Sequence, residues 1–343
     1  MDKITKLRAL FAKYDITGYI VPANDEYQEL YNASYAKRLR YITDFTGSNG
    51  SAVIFDDTAI FYTDSRYTTQ AIAQINQDIF ALKDLAELYK LQSNKIIGYD
   101  PKLFSCADIA KLKHLKLKPI TPNLIDEIWT EQPARTASKA WLYINEFAGI
   151  NYVDKLKQIC ANMTTEYLLI TLPECWCWLL NIRGHDVPFI PLIQGYAILT
   201  KNGKVTIFAD KNSFSDNVRA KRPDVTFLSL EDIATYAVQL IGQTIAFDPQ
   251  ITSQYFKDIL VNSKLIPAKN PIMLAKAQKN PAEIKHAIEV HMKDAVALCE
   301  FYGWLTENLD GSVTEYSAQA KLLDIRQQQT GFICPSFIPI CGY

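Results

Sequence analysis

The sequence lacks an excess of either charge and lacks any long apolar run. Its 343 residues carry 36 Lys and Arg against 37 Asp and Glu, a balance that offers no electrostatic attraction for nucleic acid or an anionic membrane. Its longest apolar stretches, such as residues 189–199, are interrupted well before the ~18 residues that a membrane span needs. Charged residues at positions 6, 8, 13 and 15 interrupt any secretory signal core. We therefore expect a cytoplasmic protein with no nucleic-acid or membrane partner.

Paired cysteines and clustered histidines are also missing. The seven cysteines are scattered, and Cys175 and Cys177 are one residue apart, which is not the spacing of a redox or zinc motif. We expect them to be reduced and largely buried thiols. Only four histidines occur. His286 and His291 lie five residues apart on a predicted helix and do not share a face, so they predict no zinc site.

The sequence contains no known nucleophile or phosphate-binding motif. Residues 47–50 (GSNG) lack the dinucleotide fingerprint, and we interpret them as a turn that enters a hairpin. Asp64 and Arg66 follow a predicted strand, where ligands are often bound. The interpretation we favour is that Asp64 caps the next helix and pairs with Arg66. The residues by themselves therefore indicate no active site.

The chain repeats its pattern once. Predicted strands at residues 19–22, 51–55 and 59–62 are followed in the second half by strands at 167–171, 196–200 and 205–209. The last two enclose an Asn-Gly turn, which is a strong hairpin signal. Each half then has a strand ending in Asp-Pro, at Asp100 and Asp248, before a helical pattern at residues 103–113 and 252–262. We predict two similar α/β domains in tandem.

Proline and polar residues predict the boundaries at residues 122–139 and 267–281. A helix is predicted to begin after Asn280, and a capping box from Ser312 to Glu315 predicts a second one that stops at Gly331. Residues 332–340 read as a strand. The predicted domains are residues 1–130, 140–268 and an incomplete third domain at 276–343.

Several segments resemble those of a known family. Residues 38–52 (RLRYITDFTGSNGSA) and 62–71 (YTDSRYTTQA) resemble the N-terminal domain of Xaa-Pro aminopeptidases. Residues 178–188 (WLLNIRGHDVP) resemble the second domain of the three-domain type, and 275–283 (AKAQKNPAE) with 291–300 (HMKDAVALCE) resemble the entry to its catalytic domain. The resemblance implies two creatinase-N-terminal-like α/β domains, each a mixed sheet flanked by helices. The start of an α+β pita-bread domain would follow them.

The resemblance implies metal-dependent removal of an N-terminal residue that precedes proline. Two divalent ions, usually manganese, would activate a water and polarise the scissile carbonyl. The family's ligands, two Asp, one His and two Glu, lie downstream of the segment that residues 332–343 match. The acids of this sequence after residue 311 are Glu315 and Asp324, both on a predicted helix. We therefore expect no catalytic residue, no metal ligand and no bound metal in this chain, which would be inactive alone.

The resemblance also implies that the N-terminal domain leans over the catalytic cleft. Arg40, Phe45 and Arg66 are the candidates for this lip, because they lie in the best-matching motifs. The implied partners are peptides with Pro at the second position. A homodimer is left open, since the helices of the third domain would expose apolar faces without their sheet.

Two other functions compete with this one. The chain could be a non-catalytic peptide- or protein-binding module of the same fold. It could also belong to a relative that acts on another amide or guanidino substrate, as creatinase does, although the three-domain layout disfavours this. The coding sequence beyond residue 343 would distinguish these hypotheses.

Overall fold

A computed structural model describes residues 2–29 and 31–342 of the chain. Its first half is built on a mixed sheet with the strand order β4-β3-β2-β1-β5-β6. The strands are β1 (Gly18–Pro22), β2 (Ser51–Phe55), β3 (Ala59–Thr63), β4 (Phe80–Asp84), β5 (Ile96–Tyr99) and β6 (Lys116–Pro119). The helices of this half are α1 (Lys3–Ala9), α2 (Arg38–Thr43), α3 (Thr68–Gln74), α4 (Leu85–Leu88), α5 (Cys106–Lys111) and α6 (Leu124–Ile128).

Helices cover both faces of this sheet, so its central strands are apolar on both sides. Along β1, Tyr19 and Val21 belong to one core cluster, whereas Ile20 belongs to the cluster on the opposite face. All five residues of β1 and of β2 are buried. The strands β4 and β6 at the two edges are much more exposed.

The second half repeats this architecture, with the strand order β12-β11-β10-β8-β13-β14. Its strands are β7 (Trp141–Leu142), β8 (Tyr167–Ile170), β9 (Ile182–Arg183), β10 (Gly195–Thr200), β11 (Val205–Ala209), β12 (Val225–Leu228), β13 (Thr244–Phe247) and β14 (Lys264–Pro267). A separate two-stranded ribbon pairs β7 with β9. The helices that flank the second sheet are α7 (Asn145–Ala148), α8 (Tyr152–Ala161), α9 (Pro173–Leu179), α10 (Asp216–Ala220), α11 (Asp232–Ala237), α12 (Gln254–Ile259) and α13 (Pro271–Ala277).

Two further helices, α14 (Pro281–Glu307) and α15 (Glu315–Gln327), follow the second sheet. They pack through a small cluster of Ala297, Phe301, Leu322 and Ile325. Asp294 and Arg326 join them by two hydrogen bonds of 2.7 and 3.0 Å. Short 3₁₀ turns occur at Ala12–Tyr14, Ser34–Ala36, Ser65–Tyr67, Lys211–Ser213 and Val238–Leu240.

The two sheet domains contact each other through equivalent residues. Four backbone hydrogen bonds of 2.9 Å run from the first two residues of α5 and of α12 to the segment that precedes the other helix, and Ser105 and Ser253 form a bridge. Donors and acceptors exchange roles at a constant offset of 148 residues: Cys106 to Thr252, Gln254 to Phe104, Ala107 to Pro249 and Tyr255 to Pro101. The domains therefore associate as the two halves of an isologous dimer do, although they belong to one chain.

The predicted repeat is confirmed, with six of its strands placed within about one residue of their observed bounds. The hairpin turn is confirmed as well, and Gly203 in it has a φ of 88° that favours glycine. The predicted sheets lacked β4, β6, β12 and β14, which are the outer strands. The division into residues 1–130, 140–268 and 276–343 stays a prediction.

Several local predictions were wrong. The described residues 332–342 contain no strand, because Pro335 and Pro339 have no N–H to donate and no strand lies beside them. The second helix begins after Thr314, since Ser312 instead donates to Asp310 within a turn. It also ends at Gln327, before the predicted Gly331.

Helices occur inside both predicted boundary regions, and two predicted helices are shorter than expected. The predicted linker at 122–139 contains α6, which Asn123 caps by accepting from the Ile125 N–H. The boundary region at 267–281 likewise contains α13. The helical patterns at 103–113 and 252–262 shorten to the helices α5 and α12.

Candidate functional site

The two domains differ most in the connection between their first strand and the helix that follows it. In the second domain only residues 171–172 separate β8 from α9, whereas residues 23–37 separate β1 from α2. We call residues 23–37 the β1–α2 segment. Its Ala33, Tyr35 and Ala36 are buried in the core cluster of the second domain. The segment therefore belongs to one domain by sequence and packs into the other.

Buried charges fix this segment. The Glu26 side chain is 4% exposed and accepts a hydrogen bond of 2.9 Å from the Tyr35 hydroxyl. Arg135 forms an ion pair with Glu26 and donates to the Tyr35 hydroxyl at 2.8 Å. Arg38 lies 3.7 Å from Glu26 and donates two hydrogen bonds, of 2.8 and 2.9 Å, to Asp126. These bonds compensate for the burial of the charges.

The second domain completes this cluster. Gln194 donates to Asp25 at 3.3 Å, and the Tyr196 hydroxyl donates to the backbone carbonyl of Glu26 at 3.1 Å. The rings of Tyr27 and Tyr196 lie 4.9 Å apart. The segment thus joins the two domains by polar as well as apolar contacts.

Burial determines the protonation of this cluster. Burial raises the pKa of Glu29 to about 9, and the nearby charges of Asp25 and Glu174 add to the shift. Burial and the charge of Glu26 also raise the pKa of Asp25. Burial opposes ionisation of Glu26, but Arg135 and Arg38 outweigh it and hold the pKa of Glu26 below its usual range. Glu29 is therefore a neutral group at physiological pH, and Glu26 is a carboxylate.

A cleft of about 220 Å³ lies beside the segment, where three parts of the chain meet. The first domain supplies most of its wall, a loop of the second domain supplies Pro188 and Phe189, and the C-terminal part of the chain supplies Ile338. The lining residues are Ala23, Tyr31, Asn32, Lys37, Leu39, Arg40, Phe45, Thr46, Gly47, Ser48, Pro188, Phe189 and Ile338. Two of these side chains are cationic and none is acidic, so the cleft attracts negative charge.

The cations of the cleft have a simple local origin. Lys37 is the N-cap of α2 and Arg40 follows three residues later, which places both on one face of the helix start. Among the described residues, neither side chain has an ion-pair or hydrogen-bond partner. Both remain available to a ligand.

Two of the three predicted lip residues lie in the cleft. Arg40 is exposed at its edge, and Phe45, only 1% exposed, closes its floor. The Phe45 ring packs against Phe61 and Tyr67, at 4.8 and 5.8 Å between ring centroids. Phe45 therefore shapes the cleft and offers little surface to a ligand.

Arg66 lies outside the cleft lining. It donates two hydrogen bonds of 2.8 Å to Asp64, and Asp64 also accepts from the Arg66 N–H. The hydrogen bonds from Arg66 and Asn49 hold the pKa of Asp64 below its usual range. The favoured interpretation of this pair, a cap with a paired arginine, is confirmed.

Most of the residues that line the cleft were not predicted from the sequence. Lys37 lies one position before the motif that suggested Arg40, and a helix predicted from residue 38 would have placed the two on one face. Tyr31 and Asn32 lie in a segment without a recognisable pattern. Phe189 and Ile338 are brought in by tertiary contacts alone.

The described residues do not fit a metal centre. Across residues 2–29 and 31–342, no group of three or more His, Cys, Asp or Glu side chains could hold an ion. His286 contacts Glu289 at 3.1 Å and His291 contacts the Ala287 carbonyl at 2.8 Å, so each is engaged within its own helix.

Two properties predicted from composition can be compared with the structure. All seven cysteines are free thiols. The expectation that they are largely buried was wrong, since only Cys175 and Cys177 are buried and Cys299 and Cys341 are exposed. In the part of the chain that the structure describes, no helix has the combination of length and apolarity needed to cross a membrane.

Comparison with known families matches both sheet domains. Two profiles, each described as the creatinase/prolidase N-terminal domain, match residues 3–128 and 131–283.

Curated relatives align over nearly the whole chain. Xaa-Pro aminopeptidase 1 of Dictyostelium discoideum is 30% identical over 98% of this chain and 58% of its own length. Xaa-Pro aminopeptidase ApepP of Drosophila melanogaster is 29% identical over 98% of this chain and 60% of its own length. The chain thus spans about three fifths of the length of these relatives.

A solved structure agrees. The X-prolyl aminopeptidase of Caenorhabditis elegans, described as a cytosolic enzyme with a di-nuclear active site, is 26% identical. It superposes with a TM-score of 0.90 over 98% of this chain and 61% of that protein. The expected fold of two tandem creatinase-N-terminal-like domains is confirmed.

Proposed function

We propose that this chain takes part in the removal of an N-terminal residue that precedes proline. The premise is that the chain belongs to the creatinase/prolidase family and is homologous to Xaa-Pro aminopeptidases over 98% of its length. The observation that carries this proposal is the agreement of the fold with the C. elegans X-prolyl aminopeptidase, at a TM-score of 0.90. Its substrates are peptides with Pro at the second position.

In this proposal the two sheet domains bind and restrict the peptide, while hydrolysis takes place outside the described residues. The cleft beside α2 supports this role, because it lies where the first domain, the second domain and the C-terminal part of the chain meet. Arg40 and Phe45 form the lip of the substrate path. Arg66 supports this lip indirectly, because its guanidinium contacts the Tyr67 ring, and Tyr67 in turn packs against Phe45.

The proposed cofactor is a pair of divalent ions, with manganese as the metal. When bound, such a pair would lower the pKa of a bound water and polarise the peptide carbonyl. We place its ligands outside the described residues, which contain no suitable group. A cytoplasmic location is proposed as well, in keeping with the cytosolic C. elegans enzyme.

A chimera tests the proposed function. This chain would replace the matching part of the C. elegans enzyme, and the release of alanine from the peptide Ala-Pro-Gly-Phe would be measured with and without manganese. We expect metal-dependent release from this peptide and none from Ala-Ala-Gly-Phe. The 343-residue chain alone should release nothing from either peptide. A folded chimera that releases alanine from both peptides equally, or from neither, would contradict the proposal.

The lip residues are tested in the same chimera. Arg40→Ala and Arg66→Ala should raise KM more than they lower kcat, because both residues are proposed to guide the peptide and touch no reacting atom. Lys113→Ala is a matched control, since Lys113 is exposed and lies outside the cleft lining. Unchanged values of KM and kcat in Arg66→Ala would show that Arg66 is not part of the lip.

A further inference from the structure

We propose that the cleft beside α2 binds the C-terminal carboxylate of a short peptide, which Lys37 and Arg40 hold while Asn32 accepts a hydrogen bond from the peptide backbone. The inference rests on the proposed function and deepens it, because it names the substrate class as short peptides with a free C-terminus. Three features of the cleft carry it, namely its charge, one unpartnered acceptor and its apolar walls.

The cleft is positively charged and therefore favours an anionic ligand. Lys37 and Arg40 line it without an acidic neighbour in the lining. Asp44, which lines the adjoining groove with them, accepts from Lys3 at 2.8 Å and is therefore engaged. A carboxylate that contacts both cations would form charge-assisted hydrogen bonds, which are stronger than those between neutral groups.

Asn32 distinguishes a peptide from a simple anion. Its amide nitrogen donates to the Ala23 carbonyl, which fixes the orientation of the side chain. Its Oδ1 atom is buried and has no hydrogen-bond partner among the described residues. A buried acceptor left in this state is costly. A peptide N–H next to a terminal carboxylate supplies the missing donor.

The walls of the cleft suit an apolar side chain. The rings of Tyr31 and Phe189 lie 5.0 Å apart, and Ile338 completes the apolar surface above the buried Phe45. The volume of about 220 Å³ is smaller than the ~300–1,000 Å³ of pockets that enclose a whole ligand. The cleft therefore fits the end of a peptide, with the last side chain against this pair of packed rings and the carboxylate at the cations.

Binding to the 343-residue chain tests the inference without any hydrolysis. The probes are Ala-Pro-Gly-Phe with a free C-terminus and the same peptide with a C-terminal amide, and their Kd values are measured by NMR titration. We expect the amide to bind about five- to tenfold more weakly. The difference should shrink as the salt concentration rises to about 0.5 M, because exposed charges are screened.

Three variants make the test specific. Lys37→Gln and Arg40→Gln should each weaken binding of the acid and leave that of the amide nearly unchanged. Lys113→Gln, which removes an exposed lysine away from the cleft, should change neither. Asn32→Leu should weaken the binding of both peptides, since each has the backbone N–H that donates a hydrogen bond to Oδ1.

Several results would overturn the inference. They are equal binding of acid and amide, absence of binding, an effect of Lys113→Gln as large as that of Arg40→Gln, or displacement of the acid peptide by an equal concentration of inorganic phosphate. Failure here differs from failure of the proposed function. A chimera that releases alanine from acid and amide peptides alike would retain the aminopeptidase proposal and reject only the carboxylate site.

Discussion

The two sheet domains share one sheet topology and differ in their connections, above all in the one between β1 and α2, which corresponds to β8 and α9 in the second domain. Both sheets have the same strand order, and Asp100 and Asp248 each accept from a backbone N–H two residues later, at 2.9 and 3.0 Å. Yet the first domain has residues 23–37 where the second has only residues 171–172. A repeat can therefore conserve its sheet, which packing constrains on both faces, and change at a loop, which packing constrains less.

The helices after these connections show what the difference achieves. In the second domain, α9 is almost wholly buried and includes Trp176, the largest fully buried side chain. In the first domain, α2 begins after the long β1–α2 segment, and Lys37 and Arg40 at its start line the cleft. The equivalent helix is thus almost wholly buried in the second domain, whereas in the first domain it is partly buried and supplies the two cations of the proposed binding cleft.

The largest expected effect is on the buried helix. Trp176→Ala removes a fully buried ring and the hydrogen bond of 3.0 Å that its Nε1 donates to the Gly195 carbonyl. We expect a loss of about 3–5 kcal/mol in the unfolding free energy of the second domain. Tyr41→Ala on α2, where the ring is half-buried against Trp129, should cost about 1–2 kcal/mol. Equal losses of unfolding free energy, measured by urea denaturation, would show that the two helices do not differ in their contribution to the core.

Next in size is the effect on the ion pair that joins the domains. Arg135→Ala leaves the buried Glu26 carboxylate with the more distant Arg38 as its cation. We expect a loss of about 2–3 kcal/mol, below the usual value for a buried pair because the Arg135 side chain is 47% exposed. Adding Glu26→Gln should recover part of it in a double-mutant cycle. If the two changes were simply additive, the pair would not couple the domains.

The next expected effect is on the pH dependence of stability, and it amounts to about 1.4 kcal/mol for each pH unit. The pKa of Glu29 rises from 4.5 to about 9 on folding, so the folded protein binds more protons than the unfolded chain between these values. The contribution is therefore complete below about pH 4.5 and is lost as the pH rises toward 9. Glu29→Gln should remove up to about 1.4 kcal/mol per pH unit from the slope between pH 5 and 8.

Chemical denaturation across this pH range measures that slope. The groups that act on Glu29 are Asp25, Glu174 and Lys276, and all three are left in place by the substitution. Glu131→Gln, at an exposed position of the linker, is the matched control and should leave the slope unchanged. An unchanged slope in Glu29→Gln would show that this carboxyl is ionised in the folded protein.

The smallest expected effect compares the two equivalent aspartates. Asp64 and Asp210 each cap a 3₁₀ turn, and Asp64 in addition pairs with the exposed Arg66. Asp64→Ala and Asp210→Ala should each cost about 1 kcal/mol, the usual value of a cap. Arg66→Ala should cost less than about 0.5 kcal/mol, because a surface ion pair contributes little. A larger loss would assign Arg66 a structural role beyond the pair.

The sequence alone determined the repeat, the inner strands of both sheets and the start of α14. These features depend on local signals that act over a few residues, such as the apolar strands, the Asn-Gly turn and the capping box at Asn280. The outer strands β4, β6, β12 and β14 were missed because most of their residues are exposed or half-buried and form no continuous apolar run. Their strand structure depends on a neighbour's hydrogen bonds rather than on an apolar pattern.

Only the tertiary structure decided where a ligand can bind. Arg40 and Phe45 were selected from a motif, but their cleft also needs Tyr31 and Asn32 from the β1–α2 segment, together with Phe189 and Ile338. The last two are more than 140 positions apart in the sequence and approach only when the domains have packed. The raised pKa of Glu29 arises in the same way, since burial raises it and the charge of Glu174 from the second domain adds to the shift. Local patterns specify the elements, and long-range packing specifies the site.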